Sequence, residues 1–149
     1  MKKLSAELPL ERANWTFNGK LVDSFDAHIS RSVPLYKEGH DLICDMSDFF
    51  IKPSSICYEI GCSTGTLTLE LAAHHKNKPE AHFIGVDIEE DMIRKSCSKL
   101  NQVKGLNVSF LAEDVTQLEM DQADLIVCYY TVQFINTSVR QRLIDKLYK

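Results

Sequence analysis

Between Pro53 and Ala73 the chain allows few local structures. Residues 56–60 (ICYEI) form a short, mostly apolar run bounded by Pro53-Ser54-Ser55 and Gly61, which predicts an inner parallel strand rather than a helix. Residues 66–73 are rich in helix formers, and a helix opening straight after a turn leaves backbone N–H groups free for an anion or polar ligand. Gly61 and Gly65 let the turn's backbone approach that ligand without a Cβ in the way. Strand, acid (Glu59), glycine turn and helix together predict a ligand site.

The remaining chain repeats the pattern. Apolar residues at spacings of three and four (Leu21, Val22, Phe25, Ile29) predict a helix from Lys20 to Ser32 or Val33, where Pro34 disfavours continuation. A second helix is predicted over residues 39–51, with Leu42, Ile43, Met46, Phe49 and Phe50 on the core face and Asp41, Asp45 and Asp48 in solvent. Residues 1–19 read as irregular, with Asn18-Gly19 a turn. Further strands are predicted at 81–87, 108–111 and 124–129. Between and after them come a helix from Glu89 to near Gly105, with Met92, Ile93, Cys97, Leu100 and Val103 as its stripe, and one over 138–149. Strands alternating with helices, without hairpin signals, imply parallel strands joined by right-handed crossovers. The expected fold is α/β, a Rossmann-like doubly wound parallel sheet. It forms one domain of 149 residues, with a helical arm at about 1–52 and a core at about 53–149.

Composition narrows the partners. A formal net charge of −4 lacks the footprint of a nucleic-acid binder, so a small-molecule substrate and no direct nucleic-acid contact are expected. No apolar run has bilayer length and no signal peptide precedes the first helix, which predicts a cytoplasmic protein with no membrane partner. Five cysteines without a C-x-x-C pair argue for reduced thiols. His74 and His75, as adjacent helical residues, should point apart, so no metal is expected. Cys62 has no histidine partner placed by the sequence and reads as a small loop residue rather than a nucleophile.

In a doubly wound sheet the ligand lies beyond the carboxyl ends of the strands. There stand Glu59, Gly61, Cys62 and Ser63, then Asp87, Asp114 and Tyr129. A carboxylate at the end of the second strand can accept from both ribose hydroxyls, although Asp87 also suits the start of the next helix. Asp114 reads equally as a solvated turn residue. Positions 63 and 66 are Ser and Thr, so neither G-x-G-x-x-G nor a P-loop is present, which argues against NAD and ATP. S-adenosylmethionine remains, and residues 59–65 resemble the first motif of class I S-adenosylmethionine-dependent methyltransferases.

More specific blocks accompany it: Asn14-Trp15-Thr16-Phe17, Arg31-Ser32-Val33-Pro34-Leu35-Tyr36, Tyr130-Thr131-Val132-Gln133-Phe134, Arg140-Gln141 and Asp145-Lys146-Leu147-Tyr148. With Gly61-Cys62-Ser63 they resemble the carboxy-S-adenosylmethionine synthase family over nearly the whole chain from Asn14. That family carboxylates the cofactor's methyl group using prephenate, and the product serves carboxymethylation of the tRNA wobble uridine. The resemblance implies S-adenosylmethionine or carboxy-S-adenosylmethionine as cofactor. Glu59 and the glycine turn would face its amino-acid end, Asp87 the ribose and Asp114 with Val115 the adenine. Tyr36, Gly61, Cys62, Ser63, Ile88 and the position of Tyr129 would add contacts. Catalytic residues are not assigned, because the family's carboxylate-binding arginine lies beyond Lys149. Tyr129 stands where the family has asparagine. The chain is also expected to lack the last strands of the fold, leaving an uncovered edge that a second copy could pair with as a homodimer. Two alternatives stay open: a methyltransferase acting on a small molecule, and a catalytically silent cofactor-binding fragment.

Overall fold

A computed structural model describes residues 20–148; the expectations for residues 1–19 lie outside them. The elements run α1 (Lys20–Ser32), α2 (Tyr36–Ser47), β1 (Ile56–Ile60), α3 (Thr66–His74), β2 (His82–Asp87), α4 (Glu90–Leu100), β3 (Val108–Ala112), β4 (Leu125–Val127), a 3₁₀ turn (Val132–Phe134) and α5 (Thr137–Leu147). All three strand pairings are parallel, in the order β3-β2-β1-β4. The chain therefore winds outward from β1 in both directions, as the alternating pattern predicts. In this register Ile60 lies beside Val86 and Asp87 beside Ala112, so three strands end at one level.

Strand periodicity divides the core between the two faces. Cys57, Phe83 and Val127 pack with Leu67, Leu71 and Ala72 of α3 and Cys44 of α2. Tyr58, Ile60, Ile84 and Val86 pack beneath Leu143 of α5. Leu71 is fully buried, and its replacement by alanine should destabilise the fold by about 2–5 kcal/mol, read as a lower urea midpoint at unchanged slope.

Helix α2 differs from expectation in both bounds and face. It starts at Tyr36, because Leu35 adopts a left-handed φ of 57° after Pro34, and it ends at Ser47. Its buried residues are His40, Cys44 and Ser47, whereas Leu42, Met46, Phe49 and Phe50 are exposed. Polar groups take the inner face because each finds a partner. His40 Nδ1 donates to Glu70 Oε2 at 2.8 Å, and Ser47 Oγ meets His75 Nε2 at 2.6 Å. In α4, Ser96 is fully buried and Cys97 exposed, because Ser96 Oγ donates to the Ser63 carbonyl at 3.0 Å and so anchors the turn after β1. No helix among the described residues is long and apolar enough to cross a membrane.

Candidate cofactor site

A cavity of about 760 Å³ opens where β1, β2 and β3 end. All ten residues singled out from the sequence line it: Tyr36, Glu59, Gly61, Cys62, Ser63, Asp87, Ile88, Asp114, Val115 and Tyr129. They come from α2 and from the ends of all four strands, so the fold alone assembles them.

The turn after β1 is fixed before any ligand enters. The N–H groups of Gly61 and Cys62 donate to the Val86 carbonyl at 2.7 and 3.0 Å, and the Gly65 N–H donates to the Cys62 carbonyl at 2.8 Å. Gly61, at φ 73°, lies against Thr131, whose methyl and hydroxyl would meet an added Cβ at 2.5 Å. Thr131 Oγ1 donates to the Ile60 carbonyl at 2.7 Å, so the segment after β4 clamps the glycine turn.

Asp87 bridges two backbone segments. Its Oδ2 accepts from the Ser63 N–H at 2.8 Å and its Oδ1 from the Glu89 N–H at 3.0 Å. Burial raises its pKa, and the N–H groups of Glu89, Ser63 and Ile88 oppose that rise. Each oxygen keeps a lone pair for a further donor. Glu59 is 6% exposed and accepts from Thr68 Oγ1. Burial pushes its pKa up to about 8, against the Thr68 hydrogen bonds and helped by the charges of Asp87 and Glu70. Asp114 Oδ1 accepts from the Thr116 N–H at 2.8 Å, so it closes its turn while lining the cavity. The Cys62 thiol is buried, and burial, then the Glu59 and Asp87 charges, raises its pKa well above the ordinary value, which disfavours the thiolate.

Tyr129 lies past the end of β4 rather than within it. Its hydroxyl donates to the Tyr36 carbonyl at 3.1 Å and occupies the space that a Cβ on Gly39 would need. The missing side chain at Gly39 therefore makes room for the phenol. Tyr36, Tyr129 and Tyr130 form one aromatic wall, with Tyr36 centroids 5.3 Å and 6.1 Å from the other two. Burial, and then the Glu59 charge, pushes Tyr36 well above the usual phenol range.

Several lining residues had no signal in the sequence. His40 is buried against Tyr36 and Tyr129, its Nδ1 committed to Glu70 and its Nε2 without a partner. Asp26 of α1 accepts from Thr64 Oγ1 and Lys99 Nζ, both at 2.5 Å, tying α1 across the turn to α4. Burial alone would raise Asp26, but the hydrogen bonds from Lys99 and Thr64, with the Lys99 charge, hold it below the usual carboxylate range. Among the described residues lining the cavity are the acids Asp26, Glu59, Asp87, Glu89, Glu113 and Asp114 and no lysine or arginine. Lys99 neutralises Asp26 and burial keeps Glu59 protonated near neutral pH, so the carboxylates that favour a cationic ligand over a phosphate-rich one are Asp87, Glu89, Glu113 and Asp114.

The chain is 35% identical over 140 residues to the carboxy-S-adenosyl-L-methionine synthase of Nautilia profundicola, covering 94% of this chain and 58% of the relative. To the synthase of the same name from Desulfotalea psychrophila it is 33% identical over 136 residues, covering 91% and 55%. The chain thus spans little more than half the length of these relatives. Among solved structures, an S-adenosylmethionine-dependent methyltransferase from Clostridium acetobutylicum shares the fold with a TM-score of 0.67 at 20% identity, over 84% of this chain and 51% of that one. PKMT2 from Rickettsia typhi, solved with AdoHcy, gives 0.56 at 22% identity, over 64% and 18%. The family model described as a methyltransferase domain matches residues 58–149, the segment that runs from within β1 through α5 and carries most of the cavity wall, and the chain belongs to that family.

Proposed function

We propose that this chain is the S-adenosylmethionine-binding part of a transferase similar to the carboxy-S-adenosyl-L-methionine synthases. One observation carries the reading: the acids ending β1 and β2 and the one just past β3 line a single cavity with the glycine turn, and no lysine or arginine is among the described lining residues. S-adenosylmethionine fits that balance, with a sulfonium and an ammonium against one carboxylate. Its reactive group, when bound, is an activated one-carbon unit on sulfur. Glu59 and the turn at Gly61, Cys62 and Ser63 would hold its amino-acid end, Asp87 its ribose hydroxyls, and Asp114, Val115 and Ile88 its adenine. Tyr36 and Tyr129 would close the wall beside the sulfonium, where a ring face suits a cation.

Within this reading the substrate is a small molecule, prephenate in the carboxylating version, with a product destined for tRNA modification in the cytoplasm. The second version, methyl transfer to a small molecule, uses the same cavity and the same activated one-carbon unit. Titration calorimetry of the chain with S-adenosylmethionine, and with ATP as control, should show binding of the first alone. Incubation with cofactor and prephenate followed by mass spectrometry separates the versions. A carboxylated cofactor supports the synthase. Cofactor binding without that product supports methyl transfer or a silent cofactor-binding fragment, and no binding of S-adenosylmethionine overturns the whole reading. A homodimer paired along the outer edge of β4, which has no neighbouring strand among the described residues, would show as a dimer mass in light scattering.

A further inference from the structure

Away from the cavity, α2 and α3 end against each other. Adjacent residues of a regular helix diverge, but α3 closes at His74, and His75 leaves helical geometry at φ −97°, ψ 24°. The two rings come to 4.9 Å between centroids and share one carboxylate just past the end of α2. His74 Nε2 lies 3.2 Å and His75 Nδ1 3.8 Å from Asp48 Oδ1, and the three donor atoms all fall within 4.8 Å of one another.

We propose that Asp48, His74 and His75 bind a divalent transition ion of the zinc type. Zinc bonds of about 2.0–2.1 Å place tetrahedral donors about 3.3 Å apart, a spacing that the 3.2 Å separation matches and the 3.8 Å one exceeds by about 0.5 Å. Two imidazoles and one carboxylate make a donor set that zinc accepts, with a fourth position for water.

The tautomer of His75 is already the required one. Ser47 Oγ gives its only hydrogen to the Cys44 carbonyl at 2.6 Å, so toward His75 it accepts, and Nε2 carries the ring proton. Nδ1 is left as a lone pair facing Asp48. This second hydrogen bond is the kind that orients a metal-bound imidazole. His75 is buried, while Asp48 and His74 reach solvent, which gives the ion an entry path.

One internal cation competes. Lys78 Nζ, anchored on the Ile51 carbonyl at 2.8 Å, donates to His75 Nδ1 at 3.1 Å. The ion must displace this ammonium, so Lys78 sets the affinity.

Zinc titration by calorimetry, in a Cys97→Ser background that removes the exposed thiol, tests the site. Lys78→Ala should bind Zn²⁺ more tightly than its Lys78 parent and show a higher Tm with the ion present. Adding His74→Ala or Asp48→Asn, both at solvent-reaching positions, should lower the affinity by more than about tenfold, since even outer-shell partners are worth about 10–100-fold. Zinc binding that ignores both ligand substitutions, or a Lys78→Ala protein that binds no tighter than its parent, overturns the proposal.

Discussion

Asp87→Asn is expected to lower affinity for S-adenosylmethionine by two orders of magnitude or more. Both carboxylate oxygens already hold a backbone N–H, from Ser63 and from Glu89, and their remaining lone pairs face the cavity. Two ribose hydroxyls donating to a charged acceptor contribute about 1.5–3 kcal/mol each, a combined factor of about 10²–10⁴. An amide keeps one acceptor oxygen, now uncharged, and turns an NH₂ toward a backbone N–H, so one ribose contact is lost, the other falls to the ~0.5–1.5 kcal/mol of a neutral hydrogen bond, and the turn loosens together with them. Calorimetry with the cofactor and with its 2′-deoxy analogue reads both effects. The wild type should discriminate strongly between the two and the variant weakly. Equal affinity of both proteins for the cofactor would remove Asp87 from the ribose site.

Glu59→Gln should flatten the pH dependence of stability and weaken cofactor binding. The carboxyl titrates near 4.5 in an unfolded chain and near about 8 in the folded one. Between those values the folded state holds a proton that the unfolded state has released. The stabilisation is therefore fully present below about pH 4.5, declines as pH rises and is lost above about pH 8. A displacement of this size is on the order of 3–5 kcal/mol. Glutamine does not titrate, and its amide oxygen still accepts from Thr68. Urea denaturation at pH 6 and pH 9 should show the wild type losing far more stability than the variant, and parallel losses would contradict the assignment. Binding a cationic ammonium beside Glu59 should also expel its proton at pH 7, visible as a buffer-dependent enthalpy that the variant lacks.

Much of the sheet is legible in the sequence because β1 and β2 are buried on both faces, and continuous apolar runs ending in Gly61 and Asp87 are compatible with little else. The cavity wall is legible for the same reason, since Glu59, Asp87 and Asp114 are positioned by strand ends. The inner face of α2 is not, because apolar spacing cannot register a buried polar residue whose partner lies far along the chain. His40 is held by Glu70 and Ser47 by His75, pairings thirty and twenty-eight residues apart, and they turn Met46 and Phe49 outward. Asp26 is hidden in the same way, looking like one more acid on an amphipathic helix until Lys99 and Thr64 converge on it. Gly39 becomes a companion of Tyr129 only through a contact made across the folded chain.

Among the described residues, three other than glycine, Leu35, Ser63 and Tyr130, hold left-handed backbone angles at φ 57°, 49° and 54°, and they stand beside or within the cavity wall. For L-residues that conformation costs about 1–2 kcal/mol each. The cost falls on folding, because the Gly39 N–H on the Leu35 carbonyl and the Asp87 and Ser96 side chains on Ser63 hold two of these angles in the free protein, and a ligand entering the cavity meets walls that need little rearrangement there. Thermal robustness and readiness to bind are therefore set against each other at these positions. Selection in the laboratory for heat resistance alone should drift toward glycine or asparagine at Leu35, Ser63 and Tyr130, and the survivors should bind more slowly.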